Sequence, residues 1–481
     1  MSRNVALHQA FYYGLGILMM KSVSLVMLPV VTFYLTPAEY GSLELLLSIS
    51  NFATILVGFG LVEALYRFVG LSKNTSDETH VISNILSLAI LIGIFSLLIG
   101  LYISPFLVNN LFSNISLFDM QLVVVMFSVE GCIAIPLAWL RMKENARSFF
   151  LLTTGKAAIQ AFLSWQLLSA GYGLTAILIA GVVSALLLMS ILIALQIRKT
   201  GLSFNKKRLT QILLYGSPLV LSGIAAFALI GADRWIIAAI SSESELGLYA
   251  LGKKLASITL ILMQPFCMWW NARRFKQLKQ DNGAQKVAHF SSLGIALVMC
   301  CASVICIFSP LFINIMINSQ FSSAIIYIPW LALFYVVKQT TDLINLGSYL
   351  GKTTWNVMSI DMVTAAISLC LSYFLSQYFK IPGVILALII AQLCRGVLFY
   401  QSSQKVLTLN YEWKKLILLA LLCSLGVFIV FQIDELLKQS IIAGLFSCIL
   451  CLFLYVSQLA NFNKFENSKA LEPRVVTRRG A

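Results

Sequence analysis

Charged side chains set inside long apolar runs are the residues of this sequence with chemistry to offer. Lys21 lies about ten residues into the first run, with no acid within a helical turn. Glu63 and Arg67 sit four apart in the second run, and Lys338 and Asp342 repeat that spacing further on, so each couple can pair on one helix face. Glu130, the adjacent Asp233 and Arg234, Lys253 and Lys254, Asp361 and Arg395 complete the set. A charge at the centre of a spanning helix costs about 2.5–3.5 kcal/mol on insertion scales, so it is expected to face a partner, a wet cavity or a cargo. The cations outnumber the acids. Lys21, Arg67, Arg234, Lys253, Lys338 and Arg395 are therefore candidates for a cationic, anion-binding cavity, because Lys and Arg make charge-assisted hydrogen bonds to oxyanions. Glu63 and Asp233 each stand beside an arginine that can respond to their charge, which makes them the candidates for coupling to an ion. The plainer alternative for Glu63–Arg67 and Lys338–Asp342 is a structural ion pair.

The signatures of enzymes fail. The three histidines, His8, His80 and His289, are far apart, and there is no HExxH. Gly351-Lys352-Thr353-Thr354 resembles a P-loop, but Leu346 stands where that motif needs its first glycine, and no strand precedes it. The ten cysteines, among them Cys300, Cys301, Cys448 and Cys451, lie mostly within apolar runs and read as small core residues. No cofactor is implied. The net charge of +15 is spread in short clusters between apolar runs, which argues for topology signals and against nucleic acid.

These residues need elements to hold them, and composition says which. Of 481 residues 59% are hydrophobic and 11% charged, and the mean hydropathy is +0.89. A soluble chain of this size lacks the polar residues to cover such an interior, so the bilayer is the solvent and the spans are helices. About fourteen are expected: 11–35, 43–66, 81–103, 117–140, 148–170, 174–197, 210–240, 246–270, 288–317, 322–348, 355–379, 382–403, 415–433 and 438–460. Arg3 and the run behind it show no cleavage site, so the first helix is expected to stay. Basic clusters such as Arg141–Lys143–Arg147 and Arg198 to Arg208 fall in every second loop, whereas Ser241-Ser242-Glu243-Ser244-Glu245 is acidic. That bias places both termini in the cytoplasm. Trp269-Trp270 ahead of Arg273 fits an interfacial belt, and Pro29, Pro136, Pro218, Pro265 and Pro329 are expected kinks.

A weak repeat has an offset near 200 residues. Glu39-Tyr40-Gly41 returns as Glu245-Leu246-Gly247, Tyr13-Gly14 as Tyr215-Gly216, and Arg67 as Arg273. Residues 1–200 and 201–405 are accordingly read as two six-helix bundles of the same orientation, with cargo between the halves near the midplane. Residues 406–462 are two further helices, and 463–481 a basic cytoplasmic tail.

Tyr34-Leu35-Thr36-Pro37-Ala38-Glu39-Tyr40-Gly41 resembles the start of polysaccharide transporters. So do Ala232-Asp233-Arg234-Trp235-Ile236-Ile237 and Glu245-Leu246-Gly247-Leu248-Tyr249-Ala250. They are similar to the O-antigen flippases (Wzx type) of the multidrug/oligosaccharidyl-lipid/polysaccharide (MOP) superfamily. The resemblance implies a V-shaped pair of bundles like that of multidrug exporters, working by alternating access. It also implies a cargo of oligosaccharide on undecaprenyl pyrophosphate, carried from the cytoplasmic to the periplasmic face of a bacterial inner membrane, alongside membrane lipids and other polysaccharide-assembly proteins. Fourteen spans depart from the twelve common in these flippases and resemble the lipid II flippase branch, where the extra pair helps form a groove for the lipid tail. A drug or cation antiporter of the same superfamily, and a membrane glycosyltransferase or polymerase, are the alternatives. The first should show an excess of embedded acids, and the second a sizeable extramembrane loop.

Overall fold

The computed structural model describes residues 22–72, 74–111, 115–350, 355–433 and 435–457, together with Met19. Lys21, His8, Lys352 and the basic tail lie outside the described residues. Described residues up to Gly247 form one compact unit, and those from Leu248 onward a second.

The first unit begins with α1 (Ser22–Tyr34). α2 (Pro37–Gly58) and α3 (Leu61–Gly70) follow, then α4 (Thr75–Leu111), α5 (Leu117–Met142), α6 (Ala146–Ser169), α7 (Gly173–Thr200), α8 (Lys206–Ile230) and α9 (Asp233–Ile240). α10 (Glu243–Ala256) starts in this unit. The second unit continues with α11 (Ile258–Leu278), α12 (Gly283–Met316), a 3-10 segment (Ser319–Tyr327), α13 (Ile328–Ile344), a short 3-10 turn (Leu346–Tyr349), α14 (Trp355–Val406), α15 (Trp413–Phe431) and α16 (Leu436–Val456). No strand occurs among the described residues.

Among the described residues eleven helical stretches are long and apolar enough to cross a membrane. The all-helical, polytopic reading of the sequence holds, and the expected spans fall largely on helix where they are described. α14 covers two of them, broken at Lys380 (φ 49°, ψ −130°). α6 has 24 residues, enough for a crossing of ~36 Å, but Arg147 and Lys156 lower its hydropathy. Several spans are interrupted. The second breaks at Phe59 (φ 44°) and Gly60 (φ 63°), both left-handed, and the seventh at Gly231, whose carbonyl accepts from Ser48 Oγ at 3.3 Å. The side chains left outside are apolar and large. Phe95, Leu98, Tyr102 and Phe106 on α4 are 62–86% exposed, a surface suited to acyl chains.

The motif that opens α2 has a mechanical explanation. Thr36 is its N-cap, Pro37 occupies the first turn, and Glu39 closes a capping box: Thr36 Oγ accepts from the Glu39 amide at 3.3 Å while Glu39 Oε2 accepts from the Thr36 amide at 2.9 Å. Gly41 is required by contact. A Cβ there would lie 2.0 Å from the Glu243 carbonyl oxygen, and a Cβ on Gly247 would lie 1.9 Å from that of Pro37. The two copies of the repeated acid-x-glycine motif thus pack reciprocally on each other's backbone.

The first unit's core gathers Leu61, Leu65, Ile85, Leu86, Ile133 and Leu188 from α3, α4, α5 and α7. In the second, Trp270, Val287, Ile295, Leu343, Leu416 and Leu419 join α11, α12, α13 and α15. α15 and α16 are moored to α12 by Val430, Ala443 and Ile307 and by a polar clasp. His289 Nδ1 lies 2.8 Å from Glu412 Oε1, the Glu412 amide donates to Ser292 Oγ at 3.1 Å, and Lys415 Nζ donates to the Ser457 carbonyl at 2.7 Å.

Candidate functional site

The second unit draws five charges from four stretches of helix into one network. α13 presents Lys338 and Asp342 one turn apart, and their expected pair is made, with Nζ 3.1 Å from Oδ2. Asp361 comes from the first half of α14 and Arg395 from the second, after the break at Lys380. Arg395 spans both carboxylates: its Nε lies 2.8 Å from Asp361 Oδ1 and its Nη1 3.2 Å from Asp342 Oδ1. Its guanidinium also lies over the Phe399 ring, 4.9 Å from the centroid. Arg274 enters from α11. Its Nη1 makes long hydrogen bonds to the Asp342 carbonyl (3.5 Å) and to Asn345 Oδ1 (3.4 Å), and its Nε is buried with no hydrogen-bond partner. Three cations thus face two carboxylates. The Lys338, Arg395, Asp342 and Asp361 side chains are 20%, 13%, 33% and 32% exposed. A cluster with a net positive charge, partly open, with four of its five members in candidate spans and Arg274 just beyond the end of one, can hold an oxyanion.

In the first unit Arg234 is engaged. Its Nη2 lies 3.1 Å from Glu44 Oε2, and the Tyr40 hydroxyl donates to Glu44 Oε1 at 3.2 Å. Glu44 is 7% exposed and Asp233, the first residue of α9, only 1%. Glu63 and Arg67 depart from expectation: among the described residues no ion pair joins them. Arg67 instead lies over the Tyr215 ring of α8, 4.4 Å from its centroid, an interaction of about 0.5–2 kcal/mol that leaves Glu63 exposed on the short α3. Lys253 is buried on α10 with Nζ 5.9 Å from the Tyr249 ring centroid. Of the six cations singled out by sequence, Lys338 and Arg395 share a site, Arg67 and Arg234 belong to the first unit, Lys253 belongs to the second, and Lys21 lies outside the described residues.

Sequence reasoning passed over Glu44 and Arg274. Glu44 carries a signal, an acid four residues after Tyr40 in an apolar span. Arg274 sits between Arg273 and Lys276, past the end of an apolar run, so nothing local sets it apart from an ordinary loop charge.

An apolar groove lies in the same unit. It measures about 610 Å³ and runs between α12, α13 and α15, with Met299, Cys306, Trp330, Val336, Val427 and Phe428 in its walls.

Comparison with known proteins places this architecture. A family profile described as a polysaccharide biosynthesis protein matches residues 30–326. No curated protein sequence matches the chain significantly. Among solved structures, the lipid II flippase MurJ in an inward closed conformation aligns over 95% of this chain and 100% of its own, with a TM-score of 0.68 at 13% identity. An inward-facing multidrug resistance MATE transporter of the MOP superfamily covers 82% of this chain and 97% of its own, with a TM-score of 0.58 at 13% identity. The Vibrio cholerae MATE transporter VcmN covers 84% and 96%, with a TM-score of 0.54 at 14% identity. These likenesses are of fold. With the profile matching more than half its length, the chain belongs to the polysaccharide biosynthesis protein family and has the multi-pass helical fold of MOP-superfamily flippases and transporters.

Proposed function

We propose that this protein is a non-catalytic flippase that carries an undecaprenyl-pyrophosphate-linked oligosaccharide, such as an O-antigen repeat unit, from the cytoplasmic to the periplasmic face of a bacterial inner membrane by alternating access. Membership of a polysaccharide biosynthesis family supports a glycan cargo. The observation that carries the reading is the network of Lys338 and Arg395 around two aspartates inside the spans, joined by Arg274 from just beyond the end of another, a cationic site that suits a pyrophosphate headgroup. The apolar groove of α12, α13 and α15 suits the polyprenyl tail of the same molecule. Arg67 and Lys253 supply further charge in this reading, and Lys21 belongs to it by its depth in the first run. Arg234, held by Glu44, acts as a structural cation unless that pair opens. Glu63 and Asp233 are kept as coupling candidates, and the repeat division at residues 200 and 405 as the two moving bodies.

The test is made in the producing cell. A strain lacking the protein should accumulate the lipid-linked oligosaccharide where an impermeant lectin added to spheroplasts cannot reach it. The wild-type gene should restore access, and Arg395→Glu at matched protein level should not. Normal lectin access in the deletion strain, with a gain in drug sensitivity, would instead favour the antiporter.

A further inference from the structure

Two features of the α11–α13–α14 network are unusual for a purely structural set of ion pairs. First, Arg395 divides its fork: Nε serves Asp361 and Nη1 serves Asp342, whereas a guanidinium is shaped to give two parallel bonds to one oxyanion. Second, Arg274 has donor capacity in hand, with Nε buried and unbonded and Nη1 at 3.4–3.5 Å from its acceptors. The two carboxylates leave one positive charge in excess, and about a third of each is open, so an anion can reach the site without unfolding it.

We propose that Asp342 and Asp361 are resident stand-ins for the cargo's anion: an oxyanion bound by Arg274, Lys338 and Arg395 displaces the two aspartates, and the displaced carboxylates take up protons. A carboxylate that loses its cation inside a spanning segment is costly while ionised and relieves that cost by protonation. Because linkage is reciprocal, protonation of either aspartate frees cations and tightens anion binding by the same factor. The other titratable groups facing the network are Cys267, whose sulfur accepts from Gln339 Nε2 at 3.1 Å, and Tyr349, whose ring lies 5.9 Å from the Arg274 guanidinium carbon. Both are ordinarily neutral at pH 7 and leave the charge balance to the aspartates. The inference rests on the flippase reading only for the identity of the lipid-borne anion, and it gives that reading a route for proton coupling.

The experiment is calorimetry on the purified full-length protein in detergent, in two buffers of different protonation enthalpy. Two probes are used: inorganic sulfate, an oxyanion that does not titrate near neutrality, and a farnesyl-diphosphate-linked sugar. Wild-type protein should take up protons as sulfate binds, and its affinity should tighten as pH falls, by up to about tenfold per pH unit for one fully linked proton. The Asp342→Asn/Asp361→Asn protein should bind sulfate more tightly at pH 7.5 with no proton uptake. If the double variant does not purify, the single variants decide, and at least one must lose proton uptake. Sulfate binding by wild type without proton uptake, unchanged uptake in the variants, or no sulfate binding at all overturns the inference. Sulfate behaving as expected while the lipid-linked sugar fails to bind keeps the inference and removes the flippase reading.

Discussion

Arg395 holds two acids from different segments with two of its nitrogens, so its replacement leaves both Asp342 and Asp361 short of a cation. Arg395→Ala should lower stability by about 1–3 kcal/mol, the usual cost of orphaning a partly buried polar partner, and should abolish export. Arg395→Lys keeps the charge and loses the fork, so it should fall between wild type and alanine in both thermal unfolding and glycan export. A wild-type melting temperature for Arg395→Ala would show that the network carries little structure. At this scale the sequence was half legible. Lys338 and Asp342 announced their pair by spacing along one helix. Asp361 and Arg395 could be singled out as embedded charges, but that they meet depends on how the two halves of α14 fold back at Lys380, which no local pattern encodes. Glu63 and Arg67 had the same spacing as Lys338 and Asp342 and do not pair. Tyr215, about 150 residues away in sequence, offers Arg67 its ring.

Between elements, backbone proximity sets the limits. A Cβ on Gly41 or Gly247 would fall at 2.0 or 1.9 Å from a carbonyl oxygen, well inside any van der Waals contact, and backbone cannot rotate away as a side chain can. Gly41→Ala and Gly247→Ala should therefore force the starts of α2 and α10 apart, lowering both thermal stability and export. Gly155→Ala is the matched control. It lies within α6 with open space around its Cβ, so it should be neutral or stabilising by about 0.5–1 kcal/mol through helix propensity. Equal melting temperatures for Gly41→Ala and Gly155→Ala would contradict the crossing. The start of α2 was readable from Thr36, Pro37 and Glu39, since a capping box is a local device. The reason for Gly41 was not, because its contact comes from Glu243, about 200 residues away in sequence.

For the molecule as a whole, lipid exposure and loop charge set the topology. Large apolar side chains remain outside on α4, and basic clusters recur in alternate loops, so the chain is expected to thread with both termini in the cytoplasm. A cysteine placed at Ser244 should react with an impermeant thiol reagent from the periplasm, and one at Lys206 only after permeabilisation. The ten native cysteines are first removed for this purpose. Reversed labelling at either position would invert the arrangement. Hydropathy made the helical character and the order of the spans legible, because each span must satisfy its own backbone in lipid. It could not reveal the breaks at Phe59–Gly60 and Gly231, where the apolar run continues unbroken. A lipid carrying a diphosphate-linked sugar is expected to cross the bilayer through this protein. This crossing is tested most directly in proteoliposomes holding a fluorescent lipid diphosphate oligosaccharide on both leaflets, with an impermeant reductant added outside. With wild-type protein under turnover conditions, the reductant should bleach nearly all the signal as inner-leaflet lipid is delivered outward. Vesicles bearing Arg395→Ala or Lys338→Ala should stop near half. Bleaching that stops at half with wild-type protein, as in protein-free vesicles, would mean that the protein does not carry this lipid.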